Sequence, residues 1–374
     1  MEAYKQRQQK IYSYLRKEGL DIAVLADLEG RRNPSLRYLT SYPADALLFL
    51  SSWGECFLIP WDENLAAEFA SVDKIIPYNS YKRTFSKAVQ SLAAGWKLKA
   101  GSRIELSGKF PYPAMAELRA ALPDMEVVCS YQGLDSLLLK LRGIKDDSEI
   151  QAMQKACQIS NEIVRGIEEL LADKSGNLRE LDIAQYIDSE ARIRGAEGTG
   201  FETLVAAANR SFAIHAFPAY GSELIGEQGF SVIDFGVKYR GYTSDVTITV
   251  IHGPLSKLQQ KMVESVSEIY ELALSLIDIR IPTGEIALKI DEAFAKWGFK
   301  MPHALGHGIG LAAHEAPFLR MEDQNSSVVL QEGMIFTVEP GLYHPEAGGI
   351  RLENDILMTS HGLKVMTNSR IIEI

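Results

Sequence analysis

Residues 231–250 read SVIDFGVKYRGYTSDVTITV, two β-rich runs around Lys238–Gly241, whose glycine and polar residues mark a hairpin turn. A two-residue loop at Tyr239–Arg240 places Asp234 directly opposite Asp245, with Cβ atoms about 4.5–5.5 Å apart on one face. Like charges opposed on a sheet are destabilising, so the pair needs a cation, a shared proton or solvent, and a metal ion is the simplest answer. A hairpin with a different loop would instead send both aspartates to water.

Outward from this hairpin the second half of the chain mixes helix patterns at about 178–194, 255–278 and 284–296 with strand-rich blocks at 229–252 and 333–373. Helices packed on antiparallel hairpins define an α+β domain. The first 130 or so residues are different in kind: amphipathic segments at 4–18 and 63–70 alternate with short apolar runs at 22–25, 46–50, 56–59 and 127–129, an α/β pattern. A boundary near residue 135 gives an N-terminal α/β domain, 1–135, and a C-terminal α+β domain, 136–374. Asp146 or Asp147 N-caps a long helix in the second domain, with an apolar stripe through Ile150, Met153, Cys157, Val164, Ile167 and Leu171 and a stop at Gly176. All seven histidines lie beyond the boundary, so that is where chemistry is expected.

Two further segments carry chemistry-bearing side chains. In PHALGHGIGLAAHEAP (302–317), His303 and His307 are four apart, but Gly306, Gly308 and Gly310 oppose a helix. No Glu follows His303, so this is not a helical zinc motif. Glycines among histidines suggest backbone that approaches a ligand closely, with imidazoles, His314 included, free to bind metal or hold an oxyanion. In MIFTVEPGLYHPEAGGIRLENDILM (334–358), one strand ends at Glu339, Pro340-Gly341 turns, and a second begins near Ile350 with Glu353 inside it. Arg351 shares the face of Glu353 and can partner a carboxylate; Asp355 reads as an exposed strand-end residue. Asp234, Asp245, His307, Glu339 and Glu353 together form a carboxylate-rich set with one imidazole. That donor set suits a pair of divalent first-row ions better than a thiolate zinc site, and four carboxylates balance two M²⁺.

These segments resemble the pita-bread metallopeptidases, the superfamily of methionine aminopeptidase, aminopeptidase P, prolidase and the metal-free creatinase. IDFG…GYTSD, HALGHGIGL…HE, VEPGLY and IRLEND occur in the family's order over 140–372, LRGIKDDSEIQAM resembles the entry to its catalytic domain, and NPSLRYLTSY (33–42) resembles a strand region of its N-terminal domain. The resemblance implies a creatinase-like N-terminal domain and a pita-bread catalytic domain. It implies that Asp234, Asp245, His307, Glu339 and Glu353 ligate two metal ions, Mn²⁺ or Co²⁺ before Zn²⁺ or Fe²⁺, with Asp245 and Glu353 bridging. It further implies a bridging hydroxide as nucleophile, Glu339 as proton shuttle, His215 and His314 contacting substrate and intermediate, His303 lining the pocket and Arg351 orienting ligands. Xaa-Pro dipeptides are the expected substrate, with aminopeptidase P activity on longer Xaa-Pro peptides as the alternative and a non-catalytic peptide-binding protein as the rival.

Where the family often has a strand arginine this chain has Ile248, and Ala208 or Asn209 and Ile214 replace the glycine and proline frequent before the histidine; Thr40-Ser41-Tyr42 stands where a glycine is usual. These departures bear on pocket shape rather than on ligands. A net charge of −10 without a Lys/Arg cluster excludes a nucleic-acid footprint. No apolar run is long enough to span a membrane, and the charged N-terminus is no signal peptide. Three scattered cysteines, Cys56, Cys129 and Cys157, read as free thiols in the cytoplasm. A homodimer is what the resemblance implies.

Overall fold

The computed structural model describes residues 2–174, 177–320 and 328–374; Gly176, the expected helix stop, lies outside them. The chain divides into two compact units, Met1–Arg142 and Gly143–Ile374, so the helix Leu134–Gly143 falls at the end of the first. In that unit the apolar runs become strands β1 (Ile22–Asp27), β2 (Ala46–Ser51), β3 (Cys56–Pro60), β4 (Lys74–Ile75), β5 (Arg103–Ser107) and β6 (Glu126–Ser130). They form one mixed sheet in the order β4-β3-β2-β1-β5-β6. β2 is buried throughout, as its unbroken ALLFL predicts for a strand covered on both faces. Helix Glu2–Glu18 buries Ile11, Tyr12 and Leu15, while Ala88, Val89 and Leu92 of helix Phe85–Gly95 join the core beside Phe49 and Ile104.

The second unit opens on helix Asp147–Lys174. Asp146 caps it: Oδ1 accepts from the backbone of Ser148 and Glu149, and Glu149 reaches back to the Asp146 N–H, an arrangement worth about 1 kcal/mol. Met153, Cys157, Val164, Ile167 and Leu171 are buried, and Ser160, small and polar within that stripe, meets the Ser244 hydroxyl at 2.7 Å. The strands of this unit are β7 (Gly198–Thr199), β8 (Leu204–Ala206), β9 (Gly229–Phe235), β10 (Val237–Tyr239), β11 (Tyr242–Thr243), β12 (Val246–His252), β13 (Gly306–Gly308), β14 (Glu315–Leu319), β15 (Ile335–Val338), β16 (Gly341–His344), β17 (Gly348–Arg351), β18 (Asn354–Thr359), β19 (Gly362–Val365) and β20 (Ile371–Glu373). A four-stranded sheet β20-β12-β9-β8 and a five-stranded sheet β14-β13-β15-β18-β19 form its frame, joined by the hairpin β16-β17 and the small sheet β11-β10-β7. Helices Asp147–Lys174 and Glu180–Ile193 share a core with Ile233, Val246, Ile248 and Val250, while helices Lys257–Leu276 and Thr283–Lys296 pack with Phe336, Leu342 and Ile356. The two layers touch where Thr247 of β12 bridges to Glu353.

The aspartate hairpin forms with a shifted register. Lys238 pairs with Thr243 and Tyr239 with Tyr242, so the turn is Arg240–Gly241 rather than Tyr239–Arg240. Both turn residues have positive φ, 50° and 85°, the backbone that a two-residue hairpin turn of matching twist requires, and glycine takes the second position without strain. Asp234 therefore faces Thr247, not Asp245. Because Thr247 and Asp245 are two residues apart, the shift keeps both aspartates on one face as diagonal neighbours.

Three other expectations change. The hairpin β16-β17 intervenes between Glu339 and Glu353, and Glu353 occupies the break between β17 and β18 rather than a strand interior. Asp355 is fully buried, its Oδ2 accepting from the Asp245 N–H at 2.9 Å and from the Cys157 thiol at 3.3 Å. The glycines around His307 serve backbone packing: a Cβ at Gly306 would overlap the Thr337 carbonyl, and one at Gly308 the Ala316 carbonyl.

Candidate metal centre

The five expected ligands come from five places in the sheets: Asp234 from β9, Asp245 just before β12, His307 from β13, Glu339 just after β15, and Glu353 after β17. The Glu339 N–H donates to the Leu305 carbonyl at 2.8 Å, and the His307 N–H to Thr337 Oγ1 at 3.2 Å, so β13 and the end of β15 hold imidazole and carboxylate side by side. Ligand atoms of Asp245, His307 and Glu353 lie within 4.8 Å of one another. Glu339 Oε1 is 3.5 Å and Asp245 Oδ2 3.9 Å from His307 Nε2. His307 Nδ1 stands 3.1 Å from the Gly308 carbonyl, which sets the tautomer that leaves Nε2 free to ligate.

Arg351 ties this set together. Its Nη2 contacts Asp234 Oδ2 at 2.5 Å, its Nε donates to Thr247 Oγ1 at 2.9 Å, and Thr247 donates in turn to Glu353 Oε2 at 2.6 Å. A third donor, Nη1, reaches the Tyr343 hydroxyl at 2.5 Å, and that hydroxyl lies 3.3 Å from His303 Nε2. Thr247, Tyr343 and Asp355 are the members that sequence reasoning missed. Thr247 and Asp355 emerge only from the register between β12 and the Glu353 segment, and Tyr343 only from the unforeseen hairpin, where it shares a face with Arg351.

Burial governs the electrostatics. Asp245 and Glu353 are driven well above the usual carboxylate range, by burial first and then by neighbouring acids; Glu339 is pushed up to about 8 by burial, with the Asp234 charge adding and Arg351 opposing. His307 is lowered to about 4 by burial and by His314, whose ring centroid is 4.1 Å away, and is neutral as a ligand must be. Asp234 Oδ1 and Asp245 Oδ1 are buried without a hydrogen-bond partner. Clustered acids with orphaned oxygens and an open imidazole nitrogen fit divalent cations, whose charge would stabilise the ionised forms.

His215, His303, His314 and Arg351 line the same cavity of about 380 Å³ as the five ligands, with Phe201, Phe318 and Arg320 among the other walls. Of the two departures flagged near the site, Ile214 lines this cavity, whereas Ile248 is turned to the opposite face of β12, in the apolar core under the helices. Lys145 and Glu315, residues of two motif segments that were themselves given no role, form a buried ion pair at 3.0 Å.

A two-unit chain with an acid-rich, imidazole-bearing centre between two sheets is a metallohydrolase of the pita-bread type. The family model of metallopeptidase family M24 matches residues 151–360, and the chain belongs to that family. It is 28% identical to a Xaa-Pro dipeptidase of Pyrococcus horikoshii across 99% of both chains. Among solved structures it is similar to a Xaa-Pro dipeptidase from Bacillus anthracis (TM-score 0.85, 26% identity, covering 99% of this chain and 100% of that one). An X-Pro aminopeptidase from Thermotoga maritima fits comparably (TM-score 0.84, 25% identity, covering 98% and 99%). The chain is thus a metallopeptidase: it uses divalent metal and acts on peptides. Among the described residues no helix is long and apolar enough to cross a membrane.

Proposed function

We propose that this protein is a prolidase, hydrolysing the peptide bond of Xaa-Pro dipeptides with two divalent ions, Mn²⁺ or Co²⁺, which Asp234, Asp245, His307, Glu339 and Glu353 would hold. The observation that carries the reading is the convergence of those five side chains on one cavity of about 380 Å³, a volume suited to a short peptide. When bound, such ions supply Lewis acidity toward the scissile carbonyl and an activated water. The chain's own residues do the rest. Glu339, on the cavity beside His307, accepts a proton and delivers it to the proline nitrogen as the bond breaks. His314, lowered by burial, is neutral and can donate a hydrogen bond to the developing oxyanion, with His215 on the same cavity. His303, near Tyr343, forms a wall of the pocket, and Arg351 holds Asp234 directly and Glu353 through Thr247. The protein acts in the cytoplasm as a homodimer, without nucleic-acid partners.

Full-length similarity to Xaa-Pro dipeptidases supports dipeptides as substrates; the comparable fit to an X-Pro aminopeptidase favours longer peptides as the second reading. The deciding measurement is release of alanine from Ala-Pro and Ala-Pro-Ala by protein stripped of metal and reloaded with Mn²⁺ or Co²⁺. Cleavage of Ala-Pro alone is expected. Preference for the tripeptide would make the enzyme an aminopeptidase, and cleavage of neither by metal-loaded protein would overturn the Xaa-Pro assignment.

A further inference from the structure

The segment between β8 and β9 brings Ile214 and His215 to the cavity, yet its outer side is apolar and exposed: Phe212 is 46% and Phe217 97% accessible. Burial of those rings does not hold it. Its inner anchor is small, Ala216 packed with Leu204 and Ala206. What gathers the segment is one carboxylate. Glu180, the first residue of helix Glu180–Ile193, is completely buried; its Oε1 accepts from the Ala207 N–H at 2.7 Å, and its Oε2 accepts from the Gly221 N–H and from Arg210 Nη1, each at 2.5 Å. Ala207 and Gly221 are the two ends of the loop, and Arg210 lies within it and donates again to the Pro218 carbonyl. The helix start is itself docked there, the Glu180 N–H on the Glu223 carbonyl at 2.9 Å and the Leu181 N–H on the Gly221 carbonyl at 3.0 Å. Beyond the ends, the loop is stitched to β17: the Gly349 N–H donates to Ser211 Oγ at 3.0 Å, and Arg351 Nη1 to the Ile214 carbonyl at 3.4 Å.

We infer that Glu180 is a positioning residue for the substrate pocket: with Arg210 it clasps the two ends of the 207–221 loop and so sets His215 and Ile214 against the cavity. The inference rests on the substrate role proposed above for His215. A carboxylate is required because all three partners of its oxygens are donors. Glutamine would turn an NH₂ toward either Ala207 or the Gly221–Arg210 pair, donor against donor. Ordering a loop against its conformational entropy needs such fixed points where apolar burial is absent.

The test compares Glu180→Gln with the milder Arg210→Gln, which removes the clasp's more exposed half and leaves the buried carboxylate its two backbone donors. Three readouts are taken on metal-loaded protein: kcat and KM on Ala-Pro, bound metal, and the rate of chymotryptic cleavage after Phe212 or Tyr220. The expected result is a fall in kcat/KM of about tenfold or more in Glu180→Gln and a smaller fall in Arg210→Gln, with metal content unchanged and faster cleavage in the loop. Values of kcat/KM within about twofold of the parent in both variants overturn the proposal, as does a loss of metal that accounts for the fall. His215→Ala is measured beside them. Full activity there overturns the role given to His215, whereas a tenfold fall in Glu180→Gln would still assign the loop to the pocket through Ile214.

Discussion

Single side chains at the centre act through the charge they place where water is excluded. Glu353 is the clearest case: it is buried, close to Asp245 and His307, and bonded to Thr247, so its removal takes away a proposed metal ligand as well as the partner of the Arg351 and Thr247 network. Glu353→Ala is expected to abolish Ala-Pro turnover and to bind less metal by elemental analysis, while the first unit's strands and helices stay folded. Retained turnover would remove Glu353 from the ligand set. Asp355 teaches a related lesson. Its charge and position in LEND suggested solvent, but its carboxylate is needed inside as the acceptor for the backbone of Asp245, a demand invisible until the two segments meet.

Elements position the centre through close approach of backbones. Gly306 and Gly241 are both glycines in hairpin-rich sequence, but for different reasons. Gly241, buried beside the exposed Arg240, has φ 85° in the hairpin turn, so Gly241→Ala should cost about 1 kcal/mol of conformational strain and leave metal binding intact. Gly306 has no room for a Cβ beside the Thr337 carbonyl, on the strand pair that sets His307 next to Glu339. Gly306→Ala should therefore lower metal affinity as well as stability, measured by metal titration and thermal melting; equal metal affinity in the two variants would show that β13 can shift without moving His307. The same scale explains the error in the aspartate register. Residue types located the hairpin, but the turn position depended on which two residues adopt positive φ, and Arg240 there is not the residue that turn statistics favour.

At the scale of the whole molecule, the acid cluster couples metal to folding. Without metal, Glu339 titrates at about 8 against an ordinary 4.5, and Asp245 and Glu353 also lie above their ordinary range, so the folded state holds more protons than the unfolded state through this window. Stability from these groups is full below the unfolded carboxylate values and is lost as pH rises toward the folded ones. His303 and His307, lowered to about 4 from 6.5, have the opposite sign: their contribution rises between those values and is complete above 6.5. From pH 6.5 to 8 the carboxylates therefore dominate. Chelated protein should melt at lower temperature as pH rises across that interval, with a slope of about 1.4 kcal/mol per pH unit for each retained proton. Metal-loaded protein should resist this loss, because ions that bind the folded state stabilise it. A stripped protein whose melting temperature does not fall over that interval would mean that these acids ionise freely without a cation.

Much of this protein was legible along the chain, because periodicity and side-chain type are local quantities. The α/β character of the first unit, the α+β character of the second, the capped helix at Asp146 and the nine side chains now found on one cavity were legible in residue patterns and in the family resemblance they carry. How separate segments register against one another was settled by long-range packing. It set Asp234 opposite Thr247, inserted the hairpin that brings Tyr343 to Arg351, turned Ile248 into the core and Ile214 into the pocket, and closed Glu180 on both ends of the His215 loop. Each of these depends on a hydrogen bond or contact between residues distant in the chain, and the energy of such a contact is absent from any window of sequence short enough to read.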